Sequence, residues 1–141
     1  MKTVGLALAL GLSTSIACSH APPDSTPEGT VRLFLDDMDS AGDDPASVRL
    51  AYGLLGPAAR ANLGERARRT SELLGRQVEP WAMIAAGLFG IAFRPKAMRS
   101  TVVGDRATVD VVGEDPHTEH ASVLCIHEGT AWRIEPGLPE P

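Results

Sequence analysis

The chain has little of several things. Cysteine occurs twice, as Cys18 and Cys125, and tyrosine once, as Tyr52. Basic residues are outnumbered, 13 against 18 acidic, for a net charge of −5. That balance gives no electrostatic drive toward nucleic acid, whose phosphates select a basic stripe. Apolar runs are short. Val4–Leu12 and the charge-free stretch Trp81–Phe93, thirteen residues long, both fall below the about 20 apolar residues that a helix needs to cross a bilayer. No stretch carries the spacing of a cofactor motif, and no cofactor is expected.

The first eighteen residues carry the clearest signal. Lys2 precedes the apolar run, and small residues lead from it to Ala17 and Cys18. A charged start, a brief apolar centre and a small-residue cleavage site describe a secretory signal. Its ending, Ser15-Ile16-Ala17-Cys18, resembles the lipobox of bacterial lipoproteins at three positions; Ser15 stands where an aliphatic residue is usual. The resemblance implies cleavage after Ala17, acylation of Cys18 and attachment to a membrane through that lipid. Ser19, next in line, carries no inner-membrane retention signal, which implies the inner leaflet of the outer membrane, with the protein facing the periplasm. Removing residues 1–17 from 141 leaves 124 residues, with 12 basic against 18 acidic and a net charge of −6. That is one domain of ordinary size, long enough to bury a core without metal or disulfide. With Cys18 acylated, Cys125 has no internal partner.

Residues 18–25 read as a polar, proline-containing tether, residues 26–136 as the domain and residues 137–141 as a frayed end. Thr26 is a suitable N-cap, Pro27 suits the first helical position, and Val31, Phe34, Leu35 and Met38 form an apolar stripe. A second helix is expected over Pro45–Leu55, burying Val48, Ala51, Tyr52 and Leu55. A third stripe runs through Ala59, Leu63, Ala67, Thr70 and Leu74, with Gly64 able to split it and Gly75 as C-cap. Pro80–Ala86 reads as a short helix and Leu88–Phe93 as a buried strand.

Beyond Met98 the period changes from helical to alternating. Met98–Val103, Ala107–Val112, Ala121–His127 and Ala131–Glu135 read as strands. Gly104-Asp105-Arg106 and Glu128-Gly129-Thr130 read as hairpins. Ala107, Val109 and Val111 face one way, Thr108 and Asp110 the other. One-sided alternation predicts an antiparallel sheet with one face covered. Helices first and meandering strands afterwards predict an α+β fold.

The opening Thr26-Pro27-Glu28-Gly29-Thr30-Val31 helix is followed by hairpins carrying Val103-Gly104-Asp105-Arg106-Ala107-Thr108-Val109 and Gly129-Thr130-Ala131-Trp132-Arg133-Ile134. Together they resemble the nuclear transport factor 2-like group, which includes ketosteroid isomerase-like and cystatin-related domains. The resemblance spans Thr26 to Glu135. It implies helices packed on a strongly curved, cone-like antiparallel sheet, often with an apolar pocket at the open end. It does not imply one chemistry, because this fold hosts enzymes, carriers and interaction modules.

A candidate pocket lies between Trp81–Phe93 and the sheet, drawing on Tyr52, Trp81, Phe89, Phe93, Asp110 and Trp132. An isomerase-like enzyme would need a carboxylate base and a proton donor converging in it. Asp110 and Tyr52 are the best material, yet alternation places Asp110 with Thr108 on the solvated face. Cys125 and His127 share a strand face without a nearby oxyanion site. His117, His120 and His127, near Glu114, Asp115 and Glu119, lack the fixed spacing of zinc ligands and read as a solvated loop. Arg60, Arg66, Arg68, Arg69 and Arg76 gather on the third helix, where Glu65 and Glu72 sit at pairing distance. No catalytic residue and no metal site is expected. The sequence points to a lipid-anchored envelope protein whose domain binds a small apolar ligand or another envelope protein. A small enzyme using the cone pocket is the alternative.

Overall fold

Helix α1 (Pro27–Ser40) begins where the sequence places it: the Thr26 side chain accepts the Gly29 N–H at 3.1 Å, and Pro27 occupies the first turn. The computed structural model describes residues 21–42, 44–84, 91–139 and 141. Cys18 and Phe89 lie outside them. Helix α2 (Pro45–Gly53) is capped by Asp44, whose Oδ1 accepts the Ala46 N–H at 2.9 Å. It stops short of Leu55. Leu54–Gly56 instead runs alongside the last strand, and Leu55 is buried there rather than on a helix face. Helix α3 (Pro57–Leu74) is continuous through Gly64 and ends at Gly75, whose φ is 62°. Its stripe buries Ala59, Leu63 and Ala67, but Leu74 is 54% exposed.

Pro80–Met83 forms one 3₁₀ turn rather than the start of a longer helix, and Ile84 after it is extended. Residues 91–93 are not strand, although Ile91 and Phe93 pack against the core. Pro95 follows closely, and a proline cannot donate to a sheet ladder. Residues 85, 86 and 88–90 of the two predicted segments lie outside the described residues.

Four strands follow: β1 (Ala97–Val103), β2 (Arg106–Val112), β3 (His120–Glu128) and β4 (Ala131–Ile134). They form an antiparallel meander in the order β1-β2-β3-β4. Two-residue loops, Gly104-Asp105 and Gly129-Thr130, join the outer pairs. Each loop begins with glycine at positive φ, 62° and 65°, as a type II′ hairpin turn requires at its first central residue.

Ala107, Val109, Val111, Ala121, Val123, Cys125, Trp132 and Ile134 share the sheet's inner face and are buried. Val31 and Phe34 of α1, Ala51 of α2 and Ala59 and Leu63 of α3 close over them, with Leu35 and Met38 half-buried beside them. This is an α+β fold with helices on one face of an open sheet.

Helix α1 touches both edges of that sheet. The buried Thr30 hydroxyl lies 3.2 Å from the Trp132 carbonyl of β4, to which it donates. Two residues earlier, Glu28 accepts hydrogen bonds from Ser100 of β1. The free edge of β4 is taken by the preceding loop: the Ile134 N–H donates to Leu54 O at 2.9 Å, and the Gly56 N–H donates to Ile134 O at 2.7 Å.

Candidate functional site

Of the side chains proposed for an inner pocket, Asp110 does not face Tyr52 and Trp132. Asp110 lies on β2 between Val109 and Val111, both fully buried, so its side chain faces away from the core. There it accepts the Ser122 hydroxyl at 2.7 Å, with Arg99 as its neighbour in register on β1. Tyr52 packs against the core on the opposite side of the sheet. Asp110 is therefore no member of a pocket with Tyr52 and Trp132, and the reason is the two-residue period of the strand. Trp132 is a core residue, 7% exposed, whose ring meets that of its register partner His127 at 4.9 Å between centroids. Trp81 is half-buried beneath the Arg49 guanidinium, 4.8 Å from the ring centroid. Phe93 packs at the core margin.

Cys125 is buried, and its thiol is pushed up to about 12, first by burial and then by the nearby Glu28 charge. Such a thiol carries almost no thiolate at neutral pH and is a poor nucleophile. His127, on the same face, is occupied with Trp132. In the 113–119 loop, Glu119 accepts the backbone N–H of Glu114 and of Asp115, while Asp115 accepts the His117 N–H and the Thr118 hydroxyl. These carboxylates hold the loop together, and among the described residues no three potential ligands are grouped to hold a metal ion. On α3, Glu65 binds Arg68 at 2.7 Å and Arg69 at 2.8 Å, and Arg66 donates to Pro139 O at 2.8 Å. These two guanidinium pairs hold the Glu65 carboxyl at about 2. Among the described residues no helix is long and apolar enough to cross a membrane.

An open concavity lies on the outer face of the sheet, where the sequence signalled no site. Register places Val103, Arg106, Ile126 and Arg133 in one row across the four strands. Thr101, Thr108 and Leu124 form the next row, which Glu135 completes by donating its N–H to Leu124 O at 2.9 Å. All of these except Arg133 line a groove of about 260 Å³. Val103 is 75% and Leu124 53% exposed, so the face is apolar without being covered. One trace of it is present in the sequence: Val123-Leu124-Cys125-Ile126 is apolar at both parities, which a strand with one solvated face does not need.

At the α3 end of the groove sits a long-range helix cap. Gly56 has no side chain to satisfy the first N–H groups of α3, and Glu135 does so instead, its Oε1 accepting the Ala59 N–H at 2.8 Å. The other oxygen, Oε2, is buried without a hydrogen-bond partner. It lies against Gly56 in the space that a Cβ would occupy.

No protein-family model, no curated protein and no solved structure matches this chain.

Proposed function

We propose that the protein is a lipid-anchored component of the bacterial cell envelope, held by acylated Cys18 and facing the periplasm. Its single α+β domain binds a ligand and carries out no chemistry of its own. The observation that carries the non-catalytic reading is the position of Asp110, on the sheet face opposite Tyr52 and bonded to Ser122. Catalysis needs convergent groups of tuned acidity in a site closed to water. The anchor is supported by Ser15-Ile16-Ala17-Cys18 at the end of an apolar segment. A nuclear transport factor 2-like, cone-shaped sheet is supported by the reach of α1 to both sheet edges, through Glu28–Ser100 and Thr30–Trp132.

Two measurements test this. The full chain, expressed with an alkyne analogue of palmitate, acquires the label, fractionates with membranes and loses both properties on Cys18→Ser, because acyl chains supply about 0.8 kcal/mol per buried CH₂. Unlabelled wild-type protein cleaved after Ala17 and free in the periplasm rules the anchor out. Turnover of an enolisable ketone that disappears on Asp110→Asn replaces the binding reading with the isomerase-like one.

A further inference from the structure

The outer-face groove is apolar along its floor and positively charged at one end. Val103, Leu124 and Ile126 supply the apolar surface. Arg106 stands beside Val103 and Ile126 in register, exposed, and among the described residues its guanidinium has neither ion pair nor hydrogen bond. Thr101 and Thr108 lie directly opposite one another on β1 and β2, and their hydroxyls also lack partners among the described residues. The one acid in the lining is already committed. Glu135 spends Oε1 on the N-terminus of α3, and its Oε2 is sealed against Gly56. The other arginine of the same row, Arg133, is held by Asp24 at 2.8 Å and approached by Glu128 at 3.8 Å. The groove therefore offers apolar contact, two neutral hydroxyls and one uncommitted cation.

We propose that this groove binds a small apolar carboxylate, its head group on Arg106 and its body along Val103, Leu124 and Ile126. A planar guanidinium presents parallel N–H donors that match a carboxylate in two-point fashion. A volume of about 260 Å³ accommodates a compact ring system, below the size of a drug-like ligand. The assignment rests on the reading of the domain as a binding module and is independent of the anchor.

The test is a titration of the full chain, in lipid nanodiscs when acylated and in buffer as the Cys18→Ser variant, with isoleucine, leucine and valine methyl groups followed by NMR. The probes are 2-naphthoate, its neutral amide 2-naphthamide, and 2-naphthylmethylammonium. 2-Naphthoate is expected to saturate and to shift the Val103, Leu124 and Ile126 methyl signals. The amide should bind about tenfold more weakly and the ammonium more weakly still, the loss set by one charge-assisted pair. Arg106→Gln should reduce naphthoate affinity about tenfold, leave amide affinity unchanged and preserve the melting temperature, since the side chain is exposed and unpaired. Equal affinity for acid and amide, or an Arg106→Gln variant that binds naphthoate like the parent, overturns the assignment. So do groove signals that move with protein concentration alone, which would mean that a second copy covers the face. Saturable shifts confined to the inner side, around Leu54 and Leu55, overturn the groove while the binding-module reading stands. Absence of binding together with Asp110-dependent turnover removes both.

Discussion

Glu28 and Ser100 are joined twice through one oxygen: Glu28 Oε1 accepts the Ser100 backbone N–H at 2.9 Å and the Ser100 hydroxyl at 2.6 Å. The first turn of a helix thereby closes the middle of an edge strand that would otherwise offer an unpaired donor to another chain. The Ser100 hydroxyl, the largest influence, holds the Glu28 carboxyl below its ordinary value of 4.5, against an opposing push from burial. Because the folded value is the lower one, the contribution is fully present above about pH 4.5 and is lost as pH falls through the folded value. Glu28→Gln is therefore expected to flatten the acid limb of a stability–pH profile measured by urea unfolding. Glu28→Ala should cost about 1–3 kcal/mol at neutral pH, through the unsatisfied Ser100 donors.

Phe34 is 3% exposed and sits among Val31, Val109 and Ile134 in the core. Phe34→Ala should destabilise the domain by about 3–5 kcal/mol, from lost transfer energy and the cavity left behind. Chemical denaturation at constant pH reads this directly. A variant as stable as the parent would place α1 elsewhere than on the sheet.

The cap on α3 makes a coupled prediction. Glu135→Ala removes the acceptor for Ala59 N–H and should cost about 1–2 kcal/mol, a typical value for a lost N-cap. Gly56→Ala alone should also destabilise, because its Cβ would occupy the space of Glu135 Oε2. In the Glu135→Ala background that space is free, and Gly56 already has the extended backbone of a capping residue, with φ −72° and ψ 169°. Gly56→Ser added there should recover part of the loss by capping locally. Thermal unfolding of the parent, Gly56→Ala, Glu135→Ala and the Gly56→Ala/Glu135→Ala double variant gives the coupling, and simple additivity would show that the two residues do not share one space.

Burial and the Glu28 charge together push the Cys125 thiol to about 12, and its side chain is closed to solvent. Iodoacetamide at pH 8 should leave Cys125 unmodified in the folded protein and alkylate it fully in denaturant, as read by mass spectrometry of the Cys125 peptide. Cys125→Ser should cost about 1–3 kcal/mol, since it buries a hydroxyl where the thiol behaves as a small apolar group.

Much of the fold is legible in the sequence because its signals are local. Thr26-Pro27 caps α1 through its own side chain, and Gly104 and Gly129 set their hairpins by backbone conformation. The alternation of Val109, Asp110 and Val111 is enough by itself to put Asp110 on the outer face. Longer-range features are not legible. The end of α2 depends on Leu54–Gly56 pairing with Ile134, which no helical period reveals. The start of α3 depends on a carboxylate 76 residues away. The groove depends on the register of three strands, so that Thr101, Thr108 and Leu124 become neighbours only once the hairpins have closed.

Among the described residues strand β4 follows the other elements, and α1, α3 and the Leu54–Gly56 segment are fastened at it or just beyond it. Trp132 O meets Thr30 across 102 residues, Arg133 meets Asp24 across 109, and Glu135 starts α3 from 76 residues downstream. Contacts so distant along the chain form late, after the entropy of closing the intervening loops has been overcome. During synthesis the helices can flicker locally, but the fold cannot lock until β4 has emerged. Loss of β4 and Glu135 would unfasten α1 at Thr30, the Leu54–Gly56 segment and the start of α3 together, while β1, β2 and β3 keep their own pairing.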